Sequence, residues 1–516
     1  MSIFNSIALP KIGSSAFNLT RDNLLSFDYG KLVPIFCEET LPGDKWKIKP
    51  EVMLYLMPML APVLTEQNAY LHWFFVPNRL IWKEWEDFVT GGKDGTSAPV
   101  HPFKTLASYD GTEQSPKSNA VNTGIGSLAD YLEFPSYNNA NADVRKVSAL
   151  PFRAYNLIYN EYFRDQNLED EIVVSTESGS DFVTPSSLRL RSWTKDYFTS
   201  SLPFTQRGPE AMIPIGGQPI LMSNSTQSDL NDREIIFSNQ GSRTEIYGQG
   251  DGQGAMKHLD TSQSTRLKTS DNASASINDL RRAARLQEWL ERSARGGARY
   301  IEQILAHFGV KSSDSRLQRP EYLGGSQQPI SISSIMQMSQ TDVTPQGNRS
   351  GAGISVGSGK VIKHYCEEHG FIIGILSVIP KPQYFQGIPR KYKKFDKFDY
   401  AWPSFAHLGE QPIMDSELYI GAQTASDGVF GYIPRYSEYK TAQSKVHGQF
   451  RSSLEYWTMS RKFANQPTLS SEFMHVDSET TSKPFAIQGQ TDHLLGIVKV
   501  GVNCVRKLPR YGVPQL

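Results

Sequence analysis

Hydrophobic and polar positions alternate most cleanly between Lys45 and Lys49. Trp46 and Ile48 fall on one side there, and Lys45, Lys47 and Lys49 on the other. A period of two marks a strand with one covered face and one wet face. Upstream, residues 32–39 are mostly apolar, and Leu41-Pro42-Gly43-Asp44 is a turn, with Pro presetting φ and Gly tolerating φ > 0. Downstream, residues 70–76 are denser: Trp73, Phe74 and Phe75 are adjacent, as in a strand covered on both faces. Consecutive strands joined by a tight turn predict antiparallel pairing, and so a sandwich or jelly roll rather than a parallel sheet.

The period changes along the chain. Tyr155, Ile158, Tyr159 and Tyr162 stand at i, i+3, i+4 and i+7, which predicts an amphipathic helix over residues 154–163. Residues 206–276 turn to Gly, Ser, Asn, Gln, Thr and Asp, with strand-like pieces at 234–237 and 243–247, and read as a projecting surface insertion. Helix returns at Ile277, with Ser276 or Asn278 as N-cap, Arg281, Arg282, Arg285, Arg292 and Arg295 on a solvated side, and a break at Gly296-Gly297. A second stripe, Ile301, Ile304, Leu305 and Phe308, ends at Gly309 in a C′ position. Residues 361–380 read as two strands around a polar turn, 385–442 mainly as loop, 446–457 as strand and 485–505 as a late hairpin. Residues 1–23 read as an extended arm. Strands early and late in the chain, separated by large insertions, suit a jelly roll, in which the end strands lie side by side. The fold expected is mainly β: an antiparallel eight-stranded jelly roll with large loop and helical insertions. Its core would be divided into 24–205 and 277–516.

With 516 residues the chain exceeds one ordinary domain, so it holds several domains or one core with insertions. Lys+Arg 53 balances Asp+Glu 53, and the pI is about 7.2. A compact nucleic-acid-binding domain is usually clearly basic, so any such role must use local patches or a separate basic partner. Cys37, Cys366 and Cys504 are too few and too far apart for a disulfide framework, and read as buried free thiols in a reducing compartment. The first residues lack a charged segment followed by a sustained apolar one, so no signal peptide is expected. The longest apolar run, 371–379, is far too short to span a bilayer.

Catalytic chemistry is scarce. His364, Cys366 and Glu368 would share one strand face while Glu367 and His369 point away, which splits any metal site. The glycine-rich runs near 248–254 and 351–353 do not sit between a strand and a helix, as nucleotide loops must. No metal and no cofactor is expected, and nothing requires an enzyme. The informative patch is residues 390–400, where Arg390, Lys391, Lys393, Lys394 and Lys397 interleave with Tyr392, Phe395, Phe398 and Tyr400. Cations for phosphates beside rings for bases are what single-stranded nucleic acid requires. Arg506, Lys507 and Arg510, beside Tyr511, form a second cluster. The candidate DNA-contact residues are Arg390, Lys391, Tyr392, Lys393, Lys394, Phe395, Lys397, Arg506, Lys507 and Arg510; basic loops at subunit contacts or facing solvent are the plainer alternative.

Six blocks carry a resemblance: LVPIFCEETLPGD (32–44), HWFFVPNRLIWKEWEDFVTGG (72–92), YNEYFRDQNL (159–168), LPFTQRGP (202–209), QRPEYLGG (318–325) and YIPRYSEYK (432–440). In order and across nearly the whole chain, they resemble the major capsid proteins of gokushovirus-type microviruses, which are small tailless icosahedral single-stranded DNA phages. The resemblance implies a structural protein that self-assembles into an icosahedral shell around circular single-stranded DNA, put together in the host cytoplasm and found in the virion. It also implies partners: a small basic internal DNA-binding protein, a DNA pilot protein, a scaffolding protein and a host surface receptor. Residues 206–276 are the candidate for the family's threefold protrusion and for host attachment. A carbohydrate-binding or carbohydrate-cleaving jelly-roll protein is the rival reading.

Overall fold

Eleven strands in two sheets carry most of the order. They are β1 (Ser15–Asn18), β2 (Arg21–Phe27), β3 (Val33–Thr40), β4 (Lys45–Leu56), β5 (Gln67–Pro77), β6 (Glu321–Pro329), β7 (Ser331–Met336), β8 (Arg349–Ser358), β9 (Ile362–Tyr365), β10 (Gly370–Pro380) and β11 (Leu494–Arg506). The structure, a computed structural model, describes residues 13–106, 120–121, 124–135, 145–209, 277–338, 347–421, 427–487 and 491–511, and four short strands within 220–268. Contacts divide the chain into two units, residues 1–205 with 296–516, and residues 206–295.

In the first unit, β11 lies between β4 on one side and β1 and β2 on the other; β4 continues to β8 and β9, and β8 to β7. The second sheet runs β6–β5–β10–β3. Every pairing in both sheets is antiparallel. Four of these pairs are nested in the chain: β2 with β11, β3 with β10, β4 with β8, β5 with β6. First and last strands do lie side by side.

The alternation explains the layering. Trp46, Ile48, Val52 and Leu54 of β4, with Val498, Val500 and Val502 of β11, share one buried core with Trp73, Phe75, Ile372, Leu376 and Val378 of the other sheet. Fully burying one such side chain contributes roughly 1.5–3 kcal/mol. The intervening residues of β5 and β10, Phe74, Val76, Ile373 and Ile375, join a second core with Phe152, Tyr155 and Ile158 of the helix Leu150–Ile158. That is why β5 reads as apolar on both faces. The expected helix is present but ends in one π-helical turn, Tyr159–Phe163.

Five expectations need correction. The turn at Leu41–Asp44 is not a hairpin, because β3 pairs with β10 and β4 pairs with β8, β9 and β11. It carries the chain from one sheet to the other, so that both strands can aim apolar residues at the shared core. Asp44, wholly buried, holds this corner by accepting from Leu41 N–H (3.0 Å) and Arg506 Nε (2.9 Å). Residues 446–457 are not a strand but two 3-10 turns, Gly448–Arg451 and Glu455–Trp457; Gly448 sits at φ +65° and the Arg451 side chain donates back to Val446 O. The late hairpin is one long strand, since both edges of β11 are taken by N-terminal strands. Residues 15–18 and 21–23 of the expected arm are sheet; residues 1–12 lie outside the described set. Cys366 and Cys504 are buried, whereas Cys37 is half-buried; all three are free.

The expectation for residues 206–276 falls largely outside the described residues. The pieces that are described pair antiparallel, Ile235–Asn239 with Thr244–Gly248 and Ile220–Leu221 with Leu267–Lys268. The helix Ile277–Gly296 carries Arg281, Arg282, Arg285 and Arg292 on exposed positions and Arg295 on a half-buried one, with Arg285 and Arg292 both paired to Glu288. Gly309, at φ +68°, caps the helix Tyr300–Phe308 through a bond to Leu305 O (3.0 Å). Among the described residues no helix is long and apolar enough to cross a membrane.

Candidate nucleic-acid interface

The 390–400 strip rests on a small layer with its own core. The antiparallel pair Glu410–Met414 and Val429–Pro434 buries Ile413, Phe430 and Ile433 against Tyr197, Phe198, Tyr384, Leu418 and Phe473. Short 3-10 turns at Arg390–Tyr392 and Lys397–Asp399 carry the strip across it. Asp396 caps the second turn, and Asp399 accepts from Phe395 N–H (2.9 Å) and Asp396 N–H (2.8 Å), which holds its carboxyl below the usual range.

Three of the five cations in this strip already have partners. Arg390 donates to Pro412 O (2.6 Å) and to Glu417 (3.1 Å), with Glu438 at 3.8 Å. Burial raises the pKa of Glu417 even though Met414 N–H, Arg390 and the Tyr197 hydroxyl all bond to it. Lys393 is held by Asp427 and Ser416. Lys394 pairs with Glu438 (3.5 Å) and lies 3.9 Å over the Tyr439 ring. Lys391 and Lys397 have no carboxylate partner among the described residues, and sit beside the rings of Tyr392 (4.7 Å) and Phe398 (5.0 Å). The aromatics are the more available half: Phe395 is 90 % exposed, and Tyr392, Phe398, Tyr400 and Trp402 are exposed as well. Trp402 is fixed by bonds to Lys397 O (2.8 Å) and to the hydroxyl of Tyr436 (3.2 Å), a residue held at φ +63°.

The second cluster stands at the end of β11. Arg506 is spent on Asp44 and on Glu39 O (2.7 Å), and stacks 5.2 Å over Trp46. Lys507 and Arg510 are exposed, Lys507 beside the Gly43 corner and Arg510 beside Tyr511. The two clusters stand on different elements. The sequence reading missed the acids that neutralise the strip: Glu417, Asp427 and Glu438 lie 27 to 48 positions away from their partners. No group of three or more His, Cys, Asp or Glu among the described residues is placed to hold a metal ion.

Comparison with known proteins bears on nearly the whole chain. Residues 7–516 match the family described as "Capsid protein (F protein)". The chain is 33 % identical to the capsid protein VP1 of Chlamydia phage 1, covering 99 % of this chain and 97 % of that one. It is 33 % identical to capsid protein VP1 of Bdellovibrio phage phiMH2K, over 97 % of this chain and 95 % of the relative. Capsid protein VP1 of Spiroplasma virus 4 is 29 % identical, over 100 % of this chain and 97 % of its own.

Proposed function

The chain belongs to the phage capsid protein (F protein) family and is a structural capsid protein of the microvirus type, and from that premise we propose that its copies close into an icosahedral shell around circular single-stranded DNA. Family membership supports a virion protein acting in a multi-subunit shell, and a structural rather than an enzymatic role. The observation that carries the proposal is the nesting of strand pairs: β2 with β11, β3 with β10, β4 with β8, β5 with β6. A long antiparallel hairpin rolled into two four-stranded sheets has this nesting, and it supports reading the core as the eight-stranded jelly roll of viral capsids. β1, β7 and β9 then extend one sheet. Such a core presents the same surfaces in every copy, as closed symmetry demands.

The finer parts of the proposal are these. Residues 206–276 project from the shell and contact the host surface receptor. The exposed rings of the 390–400 strip, with Lys391, Lys397, Lys507 and Arg510, face the genome. A small basic DNA-binding protein, a pilot protein and a scaffolding protein act with the shell in the host cytoplasm; the balanced charge of this chain makes separate help with genome neutralisation physically sensible. Sedimentation and electron microscopy of the expressed chain test the core of the proposal. Closed shells of uniform size are expected. A stable monomer that binds or cleaves glycans would replace this reading with the carbohydrate one.

A further inference from the structure

The open face of the seven-stranded sheet is divided by chemistry. Residues directly opposite one another in the register share a face. Leu24, Ile497, Met53 and Val356 form one row across β2, β11, β4 and β8. Leu495, Tyr55 and Ile354 form the next, and Leu24 and Val356 are 81 % and 70 % exposed. Beyond them comes Asp22–Lys499–Glu51, and then only cations and neutral groups: Lys49 opposite Gly501, Lys47 between Asn503 and Lys363, Lys45 between Val505 and Tyr365. Lys507 continues the series at the Gly43 corner.

Lys45, Lys47, Lys49, Lys363, Lys499 and Lys507 are all exposed. Lys49 pairs with Glu51 at 2.8 Å, but none of the other five forms an ion pair with a described residue. The carboxylates of this face, Asp22 and Glu51, both stand in the boundary row. Lys45, Lys47 and Lys49 follow one another at about 6.8 Å along a rigid strand, two residues of rise apart. The apolar rows lie immediately beside them, and Tyr365 adds an exposed ring at the basic end.

We infer that this face binds the phosphate backbone of the packaged single-stranded DNA along its lysine rows, with bases resting on the adjoining apolar rows. The partner is chosen by charge and by shape. A ligand with a repeating anionic edge and flat apolar faces fits both halves of the surface, whereas an acidic protein or polysaccharide uses only the lysines. The inference rests on the capsid reading and locates its inner surface.

The test uses particles assembled by the full chain. Lys45, Lys47, Lys49 and Lys363 are replaced together by Gln, and in a second variant by Arg. Shell yield is read by sedimentation, and DNA release from opened particles is followed against salt. The Gln variant is expected to assemble, to hold several-fold less DNA and to lose about 2 from the slope of log affinity against log salt, since three of the four lysines have no acidic partner and each single-strand phosphate contact contributes about 0.7. The Arg variant restores both. Equal DNA content and slope in wild type and Gln variant overturn the inference and leave the capsid reading standing; absence of shells from the wild-type chain defeats the capsid reading itself. A measurement on the unaltered particle covers a variant that fails to assemble. Formaldehyde should attach DNA to peptides containing Lys45–Lys49, and an amine reagent that cannot enter the shell should leave them unlabelled. Labelling from outside would place the face toward an external acidic partner and end the proposal.

Discussion

Two basic surfaces of this protein look alike in composition and differ in what their charges are free to do. In the 390–400 strip, Arg390, Lys393 and Lys394 are held by Glu417, Asp427 and Glu438, so those cations order a loop layer. On the open sheet, Lys45, Lys47 and Lys363 stand on paired strands whose backbone already fixes them, and they need no acid to hold their place. A cation that builds its own platform has little charge left for a polyanion. One placed on a finished platform keeps all of it. The strip compensates with rings: its exposed aromatics, Phe395 foremost, can stack on bases at about 1–3 kcal/mol each whatever the pairing of the lysines.

The largest expected difference is in salt dependence. Replacing Lys391, Lys393, Lys394 and Lys397 by Gln removes only two cations free of acidic partners, so the slope of DNA retention against log salt should fall by about 1.4, about two thirds of the effect expected on the sheet. Parallel titrations of the two quadruple variants measure this. Equal slopes would erase the distinction. A strip located on the outer surface of the particle would remove it from the genome interface altogether.

Stability should divide the two surfaces in the opposite sense. Arg390→Ala leaves Glu417 buried beside Tyr197 without its cation. The pair is neither exposed nor fully buried, so its loss falls between about 0–1 and about 3–5 kcal/mol, and about 2 kcal/mol is expected. Lys47→Ala removes no described contact and should stay within about 0.5 kcal/mol. Thermal unfolding compares them, with hydrogen exchange at Glu410–Met414 locating the loss. A Lys47 variant as unstable as the Arg390 one would mean that the sheet lysines are structural after all.

What the sequence disclosed follows the reach of each pattern. Alternation around Trp46 and Ile48, the doubly apolar Trp73-Phe74-Phe75, the Gly309 stop and the strand pieces near 235 and 245 are local, and each became the element expected. Partner choice is not local. Nothing in Leu41–Asp44 says whether the next strand returns to the same sheet or crosses to the other, since both outcomes bury the same residues. The basic strip was legible as composition, but its acids were not, because an ion pair needs only two groups brought close by folding. The sheet lysines were visible as the wet side of a strand; their meeting with Lys363 and Lys499 depends on β9 and β11, hundreds of residues away.

Acid should act on the strip through two carboxylates of opposite sign. Burial raises Asp427, but bonds from Lys393 and Ser416 outweigh it and hold its pKa below 3.8. Its contribution is present above pH 3.8 and is lost as the pH falls through the lower folded value. Burial raises Glu417 above 4.5, so its contribution is present below 4.5 and is lost as the pH rises through the folded value. As the pH falls Glu417 takes up its proton first, which relieves its burial and does not destabilise the strip, and Asp427 takes up its proton only below pH 3.8. Protection should therefore be lost at Ser416 N–H, which donates to Asp427 at 2.9 Å, before it is lost at Met414 N–H, which donates to Glu417 at 3.1 Å. Hydrogen exchange at these two amides reads the order; the reverse order would mean that Lys393 is not anchored as described.

The smallest effect concerns the platform under the lysines. Cys366 is bonded into the corner through Gly43 N–H (2.7 Å to its carbonyl) and through its own N–H to Asp44 O (2.9 Å), and Cys504 lies opposite Trp46 in β11. Both thiols are free. Burial pushes Cys366 up to about 12 and Cys504 up to about 11, which leaves very little thiolate near neutral pH. Cys37 in β3 is likewise pushed up by burial to about 12. A thiol that does not ionise is a poor nucleophile for disulfide exchange. The sheet therefore depends on packing and register alone, and reductant should change neither shell yield nor thermal midpoint. The measurement is a thermal scan of particles with and without dithiothreitol. A lower midpoint with reductant would show a covalent link between or within subunits, and the lysine face would then stand on a cross-linked platform rather than on a hydrogen-bonded one.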